Sequence, residues 1–358
     1  MGKKGGGLMD KKAKILVLAE LTPESIQSLR NLGVVVRKEA DLSDEDSVLS
    51  ALKEESPDIL VVGASPITRL TLKYANRLRL IVCTRGNPVN IDINACTEKG
   101  IMVANTPGRN ANAVAEFTIG LILCCARFIP QAFRALKERR FTVPMKDNVR
   151  VFGQDVIWVH PKLQNLPYKV FRGIELQGRV LGLVGLGTIG ERVAAKASAL
   201  GMEVYGYDPY ISSIKFKNLG VNRVDLEKLL RISDFVSLHA KATPKTFHLV
   251  GAKELALMKP TAYLINTARG SLVDQKALYE ALVERKIAGA ALDVFEYEPL
   301  WAEDPLLELD NVILTPHIGG ASVDVIRHHS DMVLQNVLSF LEGKRPPHLL
   351  NPEVLEYR

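Results

Sequence analysis

Three polar residues stand just past three short apolar runs, and together they could hold a carboxylate and move a proton. Ala262–Ile265 leads into Asn266-Thr267-Ala268-Arg269-Gly270. Ala290–Val294 leads through Phe295 to Glu298-Pro299, and Val312–Leu314 leads into Thr315-Pro316-His317-Ile318-Gly319-Gly320. An arginine binds a carboxylate through two parallel hydrogen bonds. A histidine exchanges a proton with an alcohol near neutral pH. A glutamate orients that histidine and stabilises its protonated form. The set suits hydride transfer at a carbon that bears a hydroxyl beside a carboxylate. Taken singly, an arginine after a strand is more often a surface ion-pair former and Glu-Pro is usually a turn; together, at one end of a sheet, the three residues make a site. His239 also ends an apolar run, Phe235–Leu238, and is the rival acid/base. His328 and His329, adjacent on one expected helix, cannot face one site together.

Hydride transfer needs a carrier, and the stretch Val180–Gly190 supplies a place for one. It opens as an apolar strand, Val180–Val184, followed by Gly185, Gly187 and Gly190 in the spacing G-x-G-x-x-G. The apolar spacing of Val193, Ala194, Ala197 and Leu200 predicts a helix that ends at Gly201, and a strand from Glu203 to Tyr207 stops at Asp208. Each part suits dinucleotide binding. Gly185 allows the tight turn, Gly187 lets a pyrophosphate approach the backbone, and Gly190 lets helix and strand pack closely. The free N–H groups near Thr188 and Ile189 face the anion. Asp208, 18 residues past Gly190, is placed to accept from a ribose diol and so to favour NAD over NADP. In an open parallel sheet ligands bind outside the carboxyl ends of the strands, so Arg269, Glu298 and His317 should converge where the nicotinamide lies.

The elements that position these residues read as a two-domain α/β protein. At 358 residues the chain is too long for one ordinary core. Apolar runs at Ile15–Leu18, Val34–Val36, Ile59–Val62, Leu80–Cys83 and Met102–Ala104 alternate with helices that begin at Thr22-Pro23-Glu24 and Ser43-Asp44-Glu45. The expected domains are a disordered tail over 1–12, a substrate domain from 13–111 with 318–358, and a nucleotide domain over 112–317. One long helix, Asn112 to Arg139, should cross between them. The irregular stretch 141–171 holds Phe141, Phe152, Val156, Trp158 and Phe171, and its apolar content predicts docking on a second subunit. A helix from Ser322 to Leu341 closes the pattern.

Composition narrows the partners. The formal charge is +6, of which the first fourteen residues carry +4 (five lysines, one aspartate), leaving +2 for the body. That gives no basis for a nucleic-acid footprint. No signal peptide is expected, and the longest apolar run, Phe117–Ala126, is too short to span a bilayer. Cys83, Cys96, Cys124 and Cys125 show no zinc spacing, so no metal is expected, and a reducing cytoplasm fits.

The blocks Gly-Leu-Gly-Thr-Ile-Gly, Asn-Thr-Ala-Arg-Gly, Ala-Leu-Asp-Val-Phe-Glu-x-Glu-Pro and Thr-Pro-His-Ile-Gly-Gly resemble the signatures of the D-isomer-specific 2-hydroxyacid dehydrogenases, from about Lys14 to Asn351-Pro352-Glu353. The resemblance implies a Rossmann nucleotide domain beside a flavodoxin-like substrate domain, NAD as cofactor, a 2-hydroxy or 2-oxo acid as substrate, and a homodimer built through the nucleotide domain. It implies that Arg269 binds the carboxylate, His317 is the acid/base and Glu298 its partner. It further implies that Asp293 contacts the nicotinamide amide and that Arg85-Gly86-Asn87 offers backbone N–H groups to the substrate. Thr267, Ala268, Gly319 and Gly320 line the cofactor in the same implied arrangement. Within the family the chain looks most like phosphoglycerate dehydrogenase-like members. Ala64, standing where those enzymes tend to carry a phosphate-binding arginine, the altered loop Gly86–Asn90 and an ending without a regulatory domain speak against that substrate. Phosphoglycerate dehydrogenase proper is the alternative enzyme. An NAD-sensing corepressor scaffold is the alternative of another class.

Overall fold

The computed structural model describes residues 12–38, 44–147, 158, 163 and 165–357. The expected tail up to residue 11, Ser43, and Phe152 and Val156 of the docking stretch lie outside the described residues. The chain divides into two compact units, one formed by residues up to Asn110 together with Ala321–Arg358, the other by Ala111–Gly320.

The first unit is a parallel sheet of β1 (Lys14–Leu18), β2 (Val34–Arg37), β3 (Ile59–Val62), β4 (Leu80–Cys83) and β5 (Met102–Ala104), in the order β2-β1-β3-β4-β5. This is the flavodoxin-like order. The strands read as unbroken apolar runs because both faces are covered. Leu16, Leu18, Leu60, Val62 and Ile81 feed one core, while Ile15, Val17, Ile59, Val61 and Leu80 feed the other, where helix Val323–Leu341 packs through Val333, Val337 and Phe340. The C-terminal segment covers the open edge of β5. Asn351, fully buried, accepts the Val103 N–H through Oδ1 at 2.8 Å and donates through Nδ2 to the Ile101 carbonyl at 2.9 Å.

The second unit is a seven-stranded parallel sheet: β6 (Val180–Val184), β7 (Glu203–Tyr207), β8 (Asn222–Arg223), β9 (Phe235–Leu238), β10 (Tyr263–Asn266), β11 (Gly289–Leu292) and β12 (Val312–Leu314), ordered β12-β11-β10-β9-β6-β7-β8. From β6 the chain winds outward to β8, then crosses to β9 and winds the other way, which makes the β6/β9 junction the switch point of a doubly wound fold. The register aligns Tyr207, Val184, Leu238, Asn266, Leu292 and Leu314 in one row across the sheet. Everything the sequence marked as chemical in this unit follows that row within a few residues. The two-residue edge strand β8 has both residues exposed and no apolar run, so sequence pattern gave no sign of it.

Two expectations need correction. The long helix is two helices, Ala111–Arg127 and Ile129–Lys137, bent by 66°. Pro130 has no N–H for the Ala126 carbonyl. That carbonyl instead accepts from Ile174 N at 2.9 Å, and Phe128 turns the chain at φ 52°. Helix Ala111–Arg127 does not cross between units: Ala115, Ile119, Ile122 and Ala126 pack with Leu181, Leu183 and Ala291 in the second unit. The division also falls after Gly320 rather than at 317, because Ile318 N and Gly319 N donate to Asp293 of the second unit at 2.8 Å each. Among the described residues no single helix is long and apolar enough to cross a membrane.

The Asn351 clamp yields a stability test. Asn351→Ala leaves a buried N–H and a buried carbonyl unpaired, which should cost about 2–4 kcal/mol in urea unfolding. A loss under about 0.5 kcal/mol would mean that water takes over both bonds.

Candidate functional site

The glycine turn after β6 is shaped by contacts at two of its three glycines. Gly185 has φ +94°, and a Cβ there would lie 2.7 Å from Ala240 N; at Gly190 it would lie 2.3 Å from the Gly185 carbonyl oxygen. Gly187 differs. Its φ is −78° and a Cβ would meet nothing within 4 Å. Among the described residues nothing crowds that position, so its backbone is open to close approach by a ligand. Helix Thr188–Ala199 also starts without a side-chain cap, whereas Thr22, Asp44, Asp225 and Asp274 each cap the helix that follows them. An uncapped helix start beside an open glycine fits a pyrophosphate. Asp208 Oδ2 accepts from Leu186 N and Oδ1 from Tyr210 N, both at 2.9 Å, so the acid braces the glycine turn. Each oxygen keeps a lone pair for a ribose hydroxyl.

Across the sheet, β10, β11 and β12 end in three loops. Asn266 shapes the first: Oδ1 accepts from Ala268 N at 3.1 Å and Nδ2 donates to the Arg269 carbonyl at 3.0 Å. Arg269 is exposed, and its Nη1 donates to the Ala268 carbonyl at 2.6 Å. Thr267 is buried with its hydroxyl 2.9 Å from that of Thr118, a partner the sequence did not suggest. On the second loop, Glu298 Oε1 accepts from Phe295 N at 3.1 Å, while Oε2 lies 2.7 Å from His317 Nδ1 of the third loop. The structure thus joins Glu298 and His317 directly; Arg269 lies three residues past the end of the neighbouring strand β10, and no contact among the described residues joins it to the pair.

Asp293 does more than the sequence assigned to it. It is 1 % exposed, Oδ1 accepts from the Thr315 hydroxyl at 2.7 Å and from Ile318 N, and Oδ2 accepts from Gly319 N. Its backbone carbonyl accepts from His317 N at 2.9 Å. In this arrangement it has almost no surface for a ligand amide; it folds the loop that presents His317. A carboxylate in the run Ala290–Phe295 was the available signal, since a buried charge must find partners. Gly319 is buried against that carboxylate, and Gly320, half-buried, ends the unit. In the first unit, the carbonyls of Arg85 and Gly86 accept from Thr106 N and Asn105 Nδ2, and that of Asn87 from Val89 N. The N–H groups of Arg85, Gly86 and Asn87 donate to no protein group among the described residues.

The rival histidine stands elsewhere. His239 follows β9 beneath the glycine turn, its Nε2 2.9 Å from the Ser237 hydroxyl. Burial pushes its pKa down to about 4, so at neutral pH the ring is uncharged and is not the imidazolium acid that reduction of an oxo acid needs. His328 and His329, expected to diverge, both meet Arg109: His329 Nδ1 lies 2.8 Å from the guanidinium and His328 Nδ1 lies 3.0 Å from the backbone carbonyl. The His239 pKa yields a test. The unfolded chain takes up this proton near 6.5 and the folded chain near 4, so the stability at stake is full above pH 6.5 and lost as pH falls toward 4. His239→Gln should flatten the fall in unfolding free energy between pH 7 and 5; an unchanged slope would mean that the ring is solvated.

Comparison with known proteins gives the family. Residues 119–319 match the D-isomer specific 2-hydroxyacid dehydrogenase, NAD binding domain. The chain is 41 % identical over 293 residues to a glyoxylate reductase of Korarchaeum cryptofilum, covering 82 % of each. It is 39 % identical over 340 residues to a D-3-phosphoglycerate dehydrogenase of Methanocaldococcus jannaschii, covering 94 % of this chain and spanning only 59 % of that relative. The holo D-mandelate dehydrogenase of Rhodotorula graminis superposes with a TM-score of 0.79 at 27 % identity, covering 95 % of this chain and 97 % of the other. The chain belongs to the D-isomer-specific 2-hydroxyacid dehydrogenase family, with its NAD-binding domain in residues 119–319.

Proposed function

We propose that the protein interconverts a 2-oxo acid and its D-2-hydroxy acid, with Arg269, Glu298 and His317 as the working residues. The observation that carries this reading is the 2.7 Å contact of His317 Nδ1 with Glu298, at the same end of the sheet as the uncapped helix start. NAD, when bound, supplies or accepts the hydride. Arg269 holds the substrate carboxylate with its planar fork. Glu298 accepts from Nδ1–H, which fixes the tautomer and leaves Nε2 for the substrate oxygen. In reduction His317 gives the Nε2 proton to the developing alkoxide; in oxidation neutral Nε2 takes it from the hydroxyl.

For the substrate we favour a small unphosphorylated 2-oxo acid such as glyoxylate. Ala64 offers no cation for a phosphate, and a relative 41 % identical to this chain is named glyoxylate reductase. The reading extends to a cytoplasmic homodimer. Four free thiols support the compartment. The exposed stripe Ile129, Phe133 and Leu136 on helix Ile129–Lys137 supports a partner surface on the second unit.

The deciding experiment is NADH oxidation with glyoxylate, hydroxypyruvate and 3-phosphohydroxypyruvate. NADH binding without consumption of any 2-oxo acid would leave a sensor in place of an enzyme. Arg269→Lys keeps the charge and loses the fork, so kcat/KM for the oxo acid should fall on the order of 100-fold with NADH affinity unchanged. Asp208→Ala should narrow the preference for NAD over NADP in specificity constants, and a parent enzyme that prefers NADPH refutes that role. Phe133→Glu should shift a sedimenting dimer toward monomer; a parent protein that is already monomeric at micromolar concentration sinks the dimer.

A further inference from the structure

Arg269 and Glu298 ride on different loops, and the chemistry needs those loops held at a fixed separation. Gly270, next to Arg269, lies flush on the second loop: a Cβ there would sit 1.8 Å from the Phe295 carbonyl oxygen. Contact alone does not lock the loops in register. Glu296 supplies two bonds that do. Its N–H donates to Gln275 Oε1 at 3.2 Å, and Gln275 Nε2 donates to Asp304 Oδ2 at 2.8 Å, a carboxylate only 1 % exposed. Its carboxylate Oε1 lies 3.1 Å from His248 Nε2, and the His248 backbone N–H donates to the Ser271 carbonyl at 2.9 Å, two residues past Arg269. Immediately before Glu296, Phe295 N donates to Glu298 Oε1 at 3.1 Å.

We propose that Glu296 is a positioning residue for proton transfer. Through His248 and Gln275 it clamps the Arg269 loop onto the Phe295–Glu298 turn, and the clamped turn aims the Glu298 carboxylate at His317 Nδ1. This rests on the reading of Glu298 and His317 as the proton-transfer pair. A residue that only stabilised the fold would lower the melting temperature and leave the His317 ring where it is, so the ring itself is the readout.

The test uses the full chain with 15N-labelled histidine, the His317 signals being identified by their loss in His317→Ala. Glu296→Gln keeps an acceptor for the His248 N–H, and Glu296→Ala removes it. The expected result is a His317 Nδ1–H signal that is lost or exchange-broadened in Glu296→Ala, as in Glu298→Ala, and retained in Glu296→Gln. In parallel, kcat for 2-oxo acid reduction should fall about tenfold in Glu296→Ala, with NADH affinity within about twofold. In a Glu298→Ala background the same change should do nothing more. A parent-like His317 spectrum in Glu296→Ala overturns the proposal, and so does a kcat loss that persists in full without Glu298. Should the alanine variant fail to fold, Glu296→Asp, one methylene short of His248, replaces it with the same outcomes. A parent protein that consumes no NADH with any oxo acid, while its His317 signal still depends on Glu296, defeats the proposed reaction and leaves the clamp standing.

Discussion

One buried carboxylate holds the working end of the second sheet in shape. Asp293 gathers the Thr315 hydroxyl, Ile318 N and Gly319 N, each within 2.8 Å, and its own carbonyl takes His317 N. Those bonds hold His317 at φ +53°, a conformation that costs a non-glycine residue about 1–2 kcal/mol and persists only where the surroundings enforce it. Loss of the carboxylate would orphan three donors, at about 1–3 kcal/mol each where they are buried. The same bonds tie Ile318 and Gly319 to the second unit, so one side chain shapes both the His317 loop and the place where the chain leaves that unit.

The parallel sheet does the rest of the assembly. Strands with both faces buried are largely apolar along their length, so the charged residues of β9 to β12 fall in the loops at strand ends. Register then sets those loops level: Val184, Leu238, Asn266, Leu292 and Leu314 lie in one row. The glycine turn and the His317 loop sit four strands apart, on the order of 20 Å at about 4.8 Å per strand. Only an extended ligand reaches from one to the other, which is the shape of a dinucleotide.

Among the described residues, several helices start without a side-chain cap, at Phe128, Leu166, Gly187 and Gly251, and of these Gly187 alone is a glycine with open space where a Cβ would stand, which marks the anion site. Every helix exposes free N–H groups at its first turn. Asp44, Asp225 and Asp274 satisfy theirs with side chains; Thr188–Ala199 leaves its own open behind a glycine with empty space above it. The exposed first turn has a cost in isolation, and a bound pyrophosphate offsets it.

The sequence alone determined the apolar strands, the glycine turn and the place of Arg269, Glu298 and His317 just past strand ends, because these are local facts. A buried strand is a continuous apolar run, a tight turn needs glycine, and a residue just past a strand lies at the sheet end whatever the rest does. Tertiary structure decided what depends on residues far apart in the chain. The bend at Phe128 was half visible in Pro130, but where the freed Ala126 carbonyl turns required Ile174, 48 residues on. The edge strand β8 exists only because β7 lies beside it. That Asp293 braces the His317 loop, that Asp208 braces the glycine turn and that Glu296 meets His248 are all contacts across 22 or more residues. Hydrogen bonds between such distant residues leave no periodic trace in the chain, because nothing in a residue's neighbours records which partner the fold will bring to it.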